Sequence, residues 1–158
     1  PVVMDIDYRP YTWESLSKAA EIYNKASNYC SGIIGNDDEF GVLAKSYNNG
    51  YEYAKKLSEV TSLVIYKKGM NGSITFAEGI EIKKGIFPVT PLKPTGAGDA
   101  FMGALIGSLL NNNNIEKSIE IGSAAAAIVV TKVGCAPAMP NLNDILDFMK
   151  INKISKGE

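Results

Sequence analysis

The segment best suited to chemistry is Pro94-Thr95-Gly96-Ala97-Gly98-Asp99-Ala100-Phe101, which opens a strongly apolar stretch. Two glycines let the backbone turn tightly and come close to a ligand. The N–H groups of Gly96, Ala97, Gly98 and Asp99 at a helix mouth, together with the helix dipole, form an anion hole suited to phosphate. A carboxylate placed there for binding alone would repel such a ligand. Asp99 is well placed instead to take the proton from a hydroxyl that attacks phosphorus. The same residues also make an ordinary Gly-rich helix start with an acidic first turn. Two other glycine motifs fail: Phe101 stands where a dinucleotide fingerprint needs its third Gly, and Gly103 is followed by Ala104 and Leu105, not Lys-Ser/Thr.

Three further clusters each sit at the end of an apolar run. Asn36 and Glu39, three apart at a helix start, can face one ligand and hold water around Mg²⁺; equally, they spell a capping box. Lys67-Lys68-Gly69-Met70-Asn71-Gly72 can border a nucleotide, and Asn71-Gly72 is also a strong turn signal. In Asp5-Ile6-Asp7-Tyr8-Arg9 the charged residues alternate and can share one face. Arg9 is either a fork for a substrate carboxylate or phosphate, or half of a surface Asp–Arg pair. The small-residue run Gly122–Ala127 reads as a helix-packing face that could equally leave room for a flat ring.

Composition narrows the chemistry around these clusters. The 158 residues include no histidine, which removes Ser-His-Asp and Cys-His nucleophiles and HExxH zinc sites. Cys30 and Cys135 are too few for a four-cysteine zinc site or a disulfide framework. Sixteen basic and 17 acidic residues, with no basic run, give no footprint for nucleic acid. The longest apolar stretch, Ala124–Val130, is far below the ~18 residues of a membrane span, and no secretory signal opens the chain. The expectation is a soluble cytoplasmic protein. The chain goes from Pro1 directly into an apolar strand pattern, which reads as a cut inside a longer protein.

The elements that must position the clusters follow from periodicity. Strands are expected at Val2–Ile6, Gly32–Gly35 and Leu63–Tyr66, with a hairpin of Ser73–Ala77 and Ile80–Lys84. Helices are expected at Trp13–Tyr29 with Thr12 as cap, Asp37–Tyr47, Tyr51–Val60, Gly96–Leu110, Ile115–Val133 and Asn143–Lys150. Ile86–Thr95, with three prolines, is an extended loop; Asn111–Asn114 joins two helices; Ile151–Glu158 is a polar, frayed tail. Strands alternating with helices imply a parallel sheet with helices on both faces, in a three-layer α/β/α body that the hairpin and two long helices extend and cover. The Asp5–Arg9, Asn36–Glu39 and Lys67–Gly72 clusters then fall at the carboxyl ends of strands, where such sheets bind ligands.

Taken in order, Asp5…Arg9, Asn36-x-x-Glu39, Lys67-x-Gly69-x-x-Gly72 and Gly96-Ala97-Gly98-Asp99 resemble the C-terminal half of the ribokinase/PfkB family of carbohydrate kinases. The resemblance runs from Val2 to about Lys150, residues 1–150 forming the nucleotide-binding and catalytic part of a ribokinase-like, Rossmann-like sheet. Asp5–Trp13, Gly85-Ile86-Phe87 and Cys135–Pro140 are similar to the branch that phosphorylates 5-dehydro-2-deoxygluconate in myo-inositol catabolism. The resemblance implies ATP-dependent phosphorylation of a sugar or sugar-acid hydroxyl, with Asp99 as base and Gly96, Ala97 and Gly98 steadying the transferring group. It implies that Asn36 and Glu39 organise Mg²⁺ and its waters. Lys67, Gly69 and Gly72 would border the nucleotide, and Ala124–Ala127, including Ala124 and Ala127, would lie near the adenine. Arg9, with Asp7 beside it, would meet the substrate carboxylate.

Lys93 stands where relatives commonly carry the Asp tied to monovalent-cation activation, which counts against a K⁺ site. The family's N-terminal half and lid, which hold most sugar contacts and often pair subunits as a homodimer, are absent. The expectation is therefore a fragment with little activity alone. The alternative is a regulatory module with a kinase-like fold that binds nucleotide without turnover; the intact Asp99 argues against it. An NAD-dependent enzyme is disfavoured by Phe101.

Overall fold

The computed structural model describes residues 1–157, and the chain forms two units, Pro1–Lys83 and Lys84–Glu158. The first unit carries a five-stranded sheet in the order β1 (Val3–Asp5), β2 (Gly32–Asn36), β3 (Leu63–Lys67), β4 (Ser73–Ala77), β5 (Ile80–Lys84). The first three strands are parallel and β4 runs antiparallel to β3. The hairpin joining β4 and β5 turns on Glu78 and Gly79, both at positive φ (52° and 76°), which suits the twist of a two-residue turn.

Between the parallel strands lie α1 (Leu16–Ser27), α2 (Asp37–Leu43) and α3 (Gly50–Leu57). They pack on one another and on a single sheet face, where Ile33, Val64, Tyr66, Ile74 and Phe76 meet Phe40, Leu43 and Ala54. Within this unit all three helices lie on one face of the sheet. The reason is the strand order: crossovers of one hand that all step the same way leave their helices on the same side. Each large side chain buried here contributes roughly 1.5–3 kcal/mol. On the other face Ile34, Ile65 and Thr75 are also fully buried.

Helix ends differ from expectation for local reasons. Pro10–Thr12 forms a 3₁₀ turn in which the Thr12 hydroxyl donates to the Arg9 carbonyl, so Ser15 caps α1 through the Lys18 N–H. α2 stops at Leu43, not Tyr47, because Lys45 adopts φ 54°. Its N–H donates to Val42 and that of Ser46 to Gly41, a Schellman closure.

The second unit holds α4 (Ala97–Leu110), α5 (Ile115–Val130) and α6 (Leu142–Ile151) around Phe87, Ala100, Ile121, Ala124, Ala125, Ala127, Ile128, Val129, Ala138 and Ile145. α4 and α5 pack closely because a Cβ at Gly122 would lie 2.9 Å from the Phe101 carbonyl oxygen. The Ser118 hydroxyl lies 2.9 Å from both Ser108 Oγ and the Asn114 carbonyl oxygen. α5 ends at Val130, not Val133, since Thr131 and Lys132 turn back onto the Ile128 and Val129 carbonyls. The tail expected to be frayed is tied down: Ser155 N–H donates to the Ile86 carbonyl, its hydroxyl accepts from Ile86 N–H, and Ile154 packs on the core.

Candidate active site

In the first unit the carboxyl ends of the three parallel strands gather the predicted polar residues. Asn36 closes β2 and is directly opposite Lys67 at the end of β3; Asp5 closes β1. The Lys67 ammonium lies 3.7 Å from the Asp5 carboxylate, each side chain about one-fifth exposed. Asp5 therefore faces Lys67, while Asp7, at φ 42°, leaves the strand path and forms an exposed 2.5 Å ion pair with Arg9. The alternation in the sequence does not survive as a shared face, and the surface Asp–Arg pair is realised.

Asn36 and Glu39 form the full capping box of α2. Asn36 Oδ1 accepts from Glu39 N–H (2.8 Å), and Glu39 Oε2 accepts from Asn36 N–H (2.7 Å). Glu39 Oε1 also accepts the Tyr8 N–H (3.2 Å), tying the segment after β1 to the start of α2. Glu39 is only 7% exposed. Gly35 makes room for it, since a Cβ there would sit 3.2 Å from Oε2. Burial pushes the Glu39 carboxyl above its ordinary value, against the pull of the Asn36 amide and the Lys67 ammonium.

This geometry bears on a metal. Both carboxylate oxygens already hold backbone amides, so direct coordination would compete with the α2 cap. Their remaining lone pairs fit a water-mediated role. No cluster of three or more His, Cys, Asp or Glu suited to a metal occurs among the described residues.

Lys67 leads into a tight turn in which Gly69 (φ 56°) and Gly72 (φ 84°) take left-handed backbone, and Lys68 N–H donates to the Gly72 carbonyl (2.7 Å). Gly69 is exposed with open space around its α-carbon, whereas Gly72 is buried.

The second unit contains the glycine turn. Gly96 occupies the N-cap of α4 at φ 88°, and no side chain caps this helix. Ala97 N–H makes a weak turn bond to the Pro94 carbonyl at 3.3 Å, and α4 begins its own ladder with Ala100 N–H on the Gly96 carbonyl. The amides of Gly98 and Asp99 are left without an acceptor among the described residues. The Asp99 side chain is exposed beside them. Orphan donors and an accessible carboxylate thus stand together at one helix mouth, and such donors are chemically able to receive an anion.

Ala124 and Ala127 depart from expectation. They are 0% and 6% exposed and lie in the core with Ala100 and Phe87, so the small-residue run serves helix packing and not an open ring pocket. Two contacts had no signal in the sequence because they join distant positions: Glu39 with Tyr8, and Gly96 with Cys135, whose Sγ would be 2.7 Å from a Cβ at 96. The Asp5–Lys67 pair had a weak one, opposite charges each closing an apolar strand.

Comparison with known proteins agrees with this architecture. The pfkB family carbohydrate kinase profile matches residues 2–142. The chain is 38% identical over 154 residues to 5-dehydro-2-deoxygluconokinase of Geobacillus kaustophilus (strain HTA426), covering 94% of this chain and 46% of that protein. It is 37% identical over 160 residues to the same-named protein of Geobacillus thermodenitrificans (strain NG80-2), covering 98% and 48%. Among solved structures, aminoimidazole riboside kinase from Salmonella enterica superposes with TM-score 0.82 at 23% identity, over 94% of this chain and 52% of that one. Ribokinase from Thermotoga maritima gives TM-score 0.73 at 29% identity, over 78% and 43%. The chain spans about half the length of the curated relatives it matches. With the Gly96–Asp99 turn at the mouth of α4 and the profile spanning nearly its whole length, the chain belongs to the pfkB family of carbohydrate kinases.

Proposed function

We propose that this chain supplies the nucleotide-binding and catalytic part of an ATP-dependent kinase for a sugar-acid hydroxyl, with 5-dehydro-2-deoxygluconate as acceptor. The observation that carries the reading is the mouth of α4, where uncapped amides and the exposed Asp99 stand together. Asp99 takes the proton of the acceptor hydroxyl as its oxygen bonds to the γ-phosphorus and the bond to the ADP oxygen breaks. The amides of Gly96, Ala97 and Gly98 stabilise charge on the phosphoryl oxygens. Asn36 and Glu39 hold water toward Mg²⁺, which when bound neutralises phosphate charge. Lys67 and the Gly69–Gly72 turn border the phosphates and nucleotide, and Arg9 exchanges Asp7 for the substrate carboxylate. The acceptor is drawn from the relatives named 5-dehydro-2-deoxygluconokinase.

Positioning supplies much of the rate in such a transfer. The 158 residues alone are expected to phosphorylate little sugar; ready turnover by this chain would overturn that expectation. For the whole protein, Asp99→Asn is expected to lower phosphorylation of 5-dehydro-2-deoxygluconate by about 10²–10⁴, with ATP affinity by calorimetry unchanged. Turnover that survives the substitution removes Asp99 as base. ATP binding with no turnover in either form would favour the regulatory module.

A further inference from the structure

The glycine turn before α4 is gripped from one segment. At Gly96 a Cβ would lie 2.7 Å from Cys135 Sγ, 3.6 Å from Cys135 Cβ and 3.4 Å from Val129 Cγ1. Just upstream, the N–H groups of Leu92 and Lys93 both donate to the Val130 carbonyl, at 2.7 and 3.0 Å. The gripping segment is itself fixed: Gly134 takes φ 100°, Ala138 N–H donates to the Cys135 carbonyl (3.0 Å), and Ala138 and Val129 share a core with Ala100 of α4. Close-packed contacts of this kind pass a displacement on to the backbone they touch.

We propose that Cys135 is a positioning residue for the phosphate-binding turn: the volume of its side chain sets how far Gly96 can swing, and so where the Gly98 and Asp99 amides point. Its role is one of shape and not of thiol chemistry, so a serine serves and a leucine does not. The proposal rests on the reading of the α4 mouth as the phosphate site. Gly96 answers the same contact from the other side, because its backbone is left-handed and its α-carbon has no room for a side chain.

The test uses the 158-residue chain with Cys135→Ser, Cys135→Leu and Cys135→Ala. Amide resonances of Gly96–Asp99 are followed by NMR, ATP affinity by calorimetry, and Tm by thermal melting. Cys135→Ser is expected to match the parent in all three. Cys135→Leu is expected to shift the four amides and weaken ATP about tenfold, the loss of one charge-assisted contact, while Tm and the amides of β2 hold. Should the leucine variant not fold, Cys135→Ala is expected to shift the same amides and weaken ATP by a smaller factor. Amides that stay in place in both variants overturn the proposal, as do shifted amides with ATP affinity unchanged. Shifts spread across the whole unit with a lowered Tm mark a packing role alone and overturn it too. If the parent chain itself binds no ATP, the kinase reading of this turn fails, and the amides still decide whether Cys135 positions it.

Discussion

The starts of α2 and α4 solve the same problem in opposite ways. Both carry acidic residues in the first turn. At α2 the Asn36–Glu39 box closes on itself, and Glu39 is buried and further tied to Tyr8. At α4 a left-handed glycine takes the cap position, no side chain caps the helix, and Asp99 faces solvent. The first arrangement uses its donors for stability; the second leaves them without an acceptor among the described residues. A helix start that forgoes about 1 kcal/mol of capping is the stronger functional statement of the two.

That contrast can be broken at several points. The largest effect is expected from Gly96→Ala, which combines a left-handed backbone with a 2.7 Å approach to Cys135 Sγ. It should destabilise the chain by about 2–3 kcal/mol in urea unfolding. Gly103→Ala, seven residues on in the same helix with no atom within 4 Å of the added carbon, should instead stabilise by about 0.5–1 kcal/mol. If both glycines respond alike, the turn at 96 is not special.

Asn36→Ala comes next, with an expected cost of about 1–2 kcal/mol, since it opens the box that also orders Glu39. A smaller loss would mean that burial of Glu39 and its Tyr8 bond hold α2 unaided. The mildest effect concerns pH. Burial raises the Glu39 carboxyl from its ordinary 4.5, so the folded chain holds that proton more tightly than the unfolded one. Its contribution to stability is full below about 4.5 and declines as pH rises through the raised value. Glu39→Gln should remove this decline from a pH series of Tm; a series unchanged by the substitution would place the decline elsewhere.

How far the sequence could be read is clearest at two helix ends. α2 and α4 both finish in a Schellman closure with a left-handed residue, Lys45 at φ 54° and Asn112 at φ 61°. Asparagine tolerates that backbone and announces it, so the end at Leu110 was legible. Lysine carries no such signal, so the sequence pattern carries α2 four residues too far, to Tyr47 instead of Leu43. The hairpin at Glu78-Gly79 and the parallel strands were legible from turn residues and apolar runs. The motif positions were legible too, because each cluster is local in sequence.

What was not legible depends on residues far apart. Nothing in Tyr8 foretells that its amide meets Glu39, and nothing in Cys135 foretells its place against Gly96. The alanines at 124 and 127 illustrate a different failure. Small residues at helical spacing fit a ring pocket or a tight helix crossing equally well, and only the packing of α5 separates them.

The Pro-rich segment before α4 has the composition of a floppy connector, yet it is held at both ends. Ser155 clasps Ile86, and the Val130 carbonyl holds Leu92 and Lys93. Between them only residues 87–91 remain, with Phe87 buried and two prolines restricting the rest. Amide hydrogens at Leu92 and Lys93 should accordingly exchange with solvent as slowly as those of the last turn of α5. The path by which the chain reaches the mouth of α4 therefore shares the lifetime of a helix.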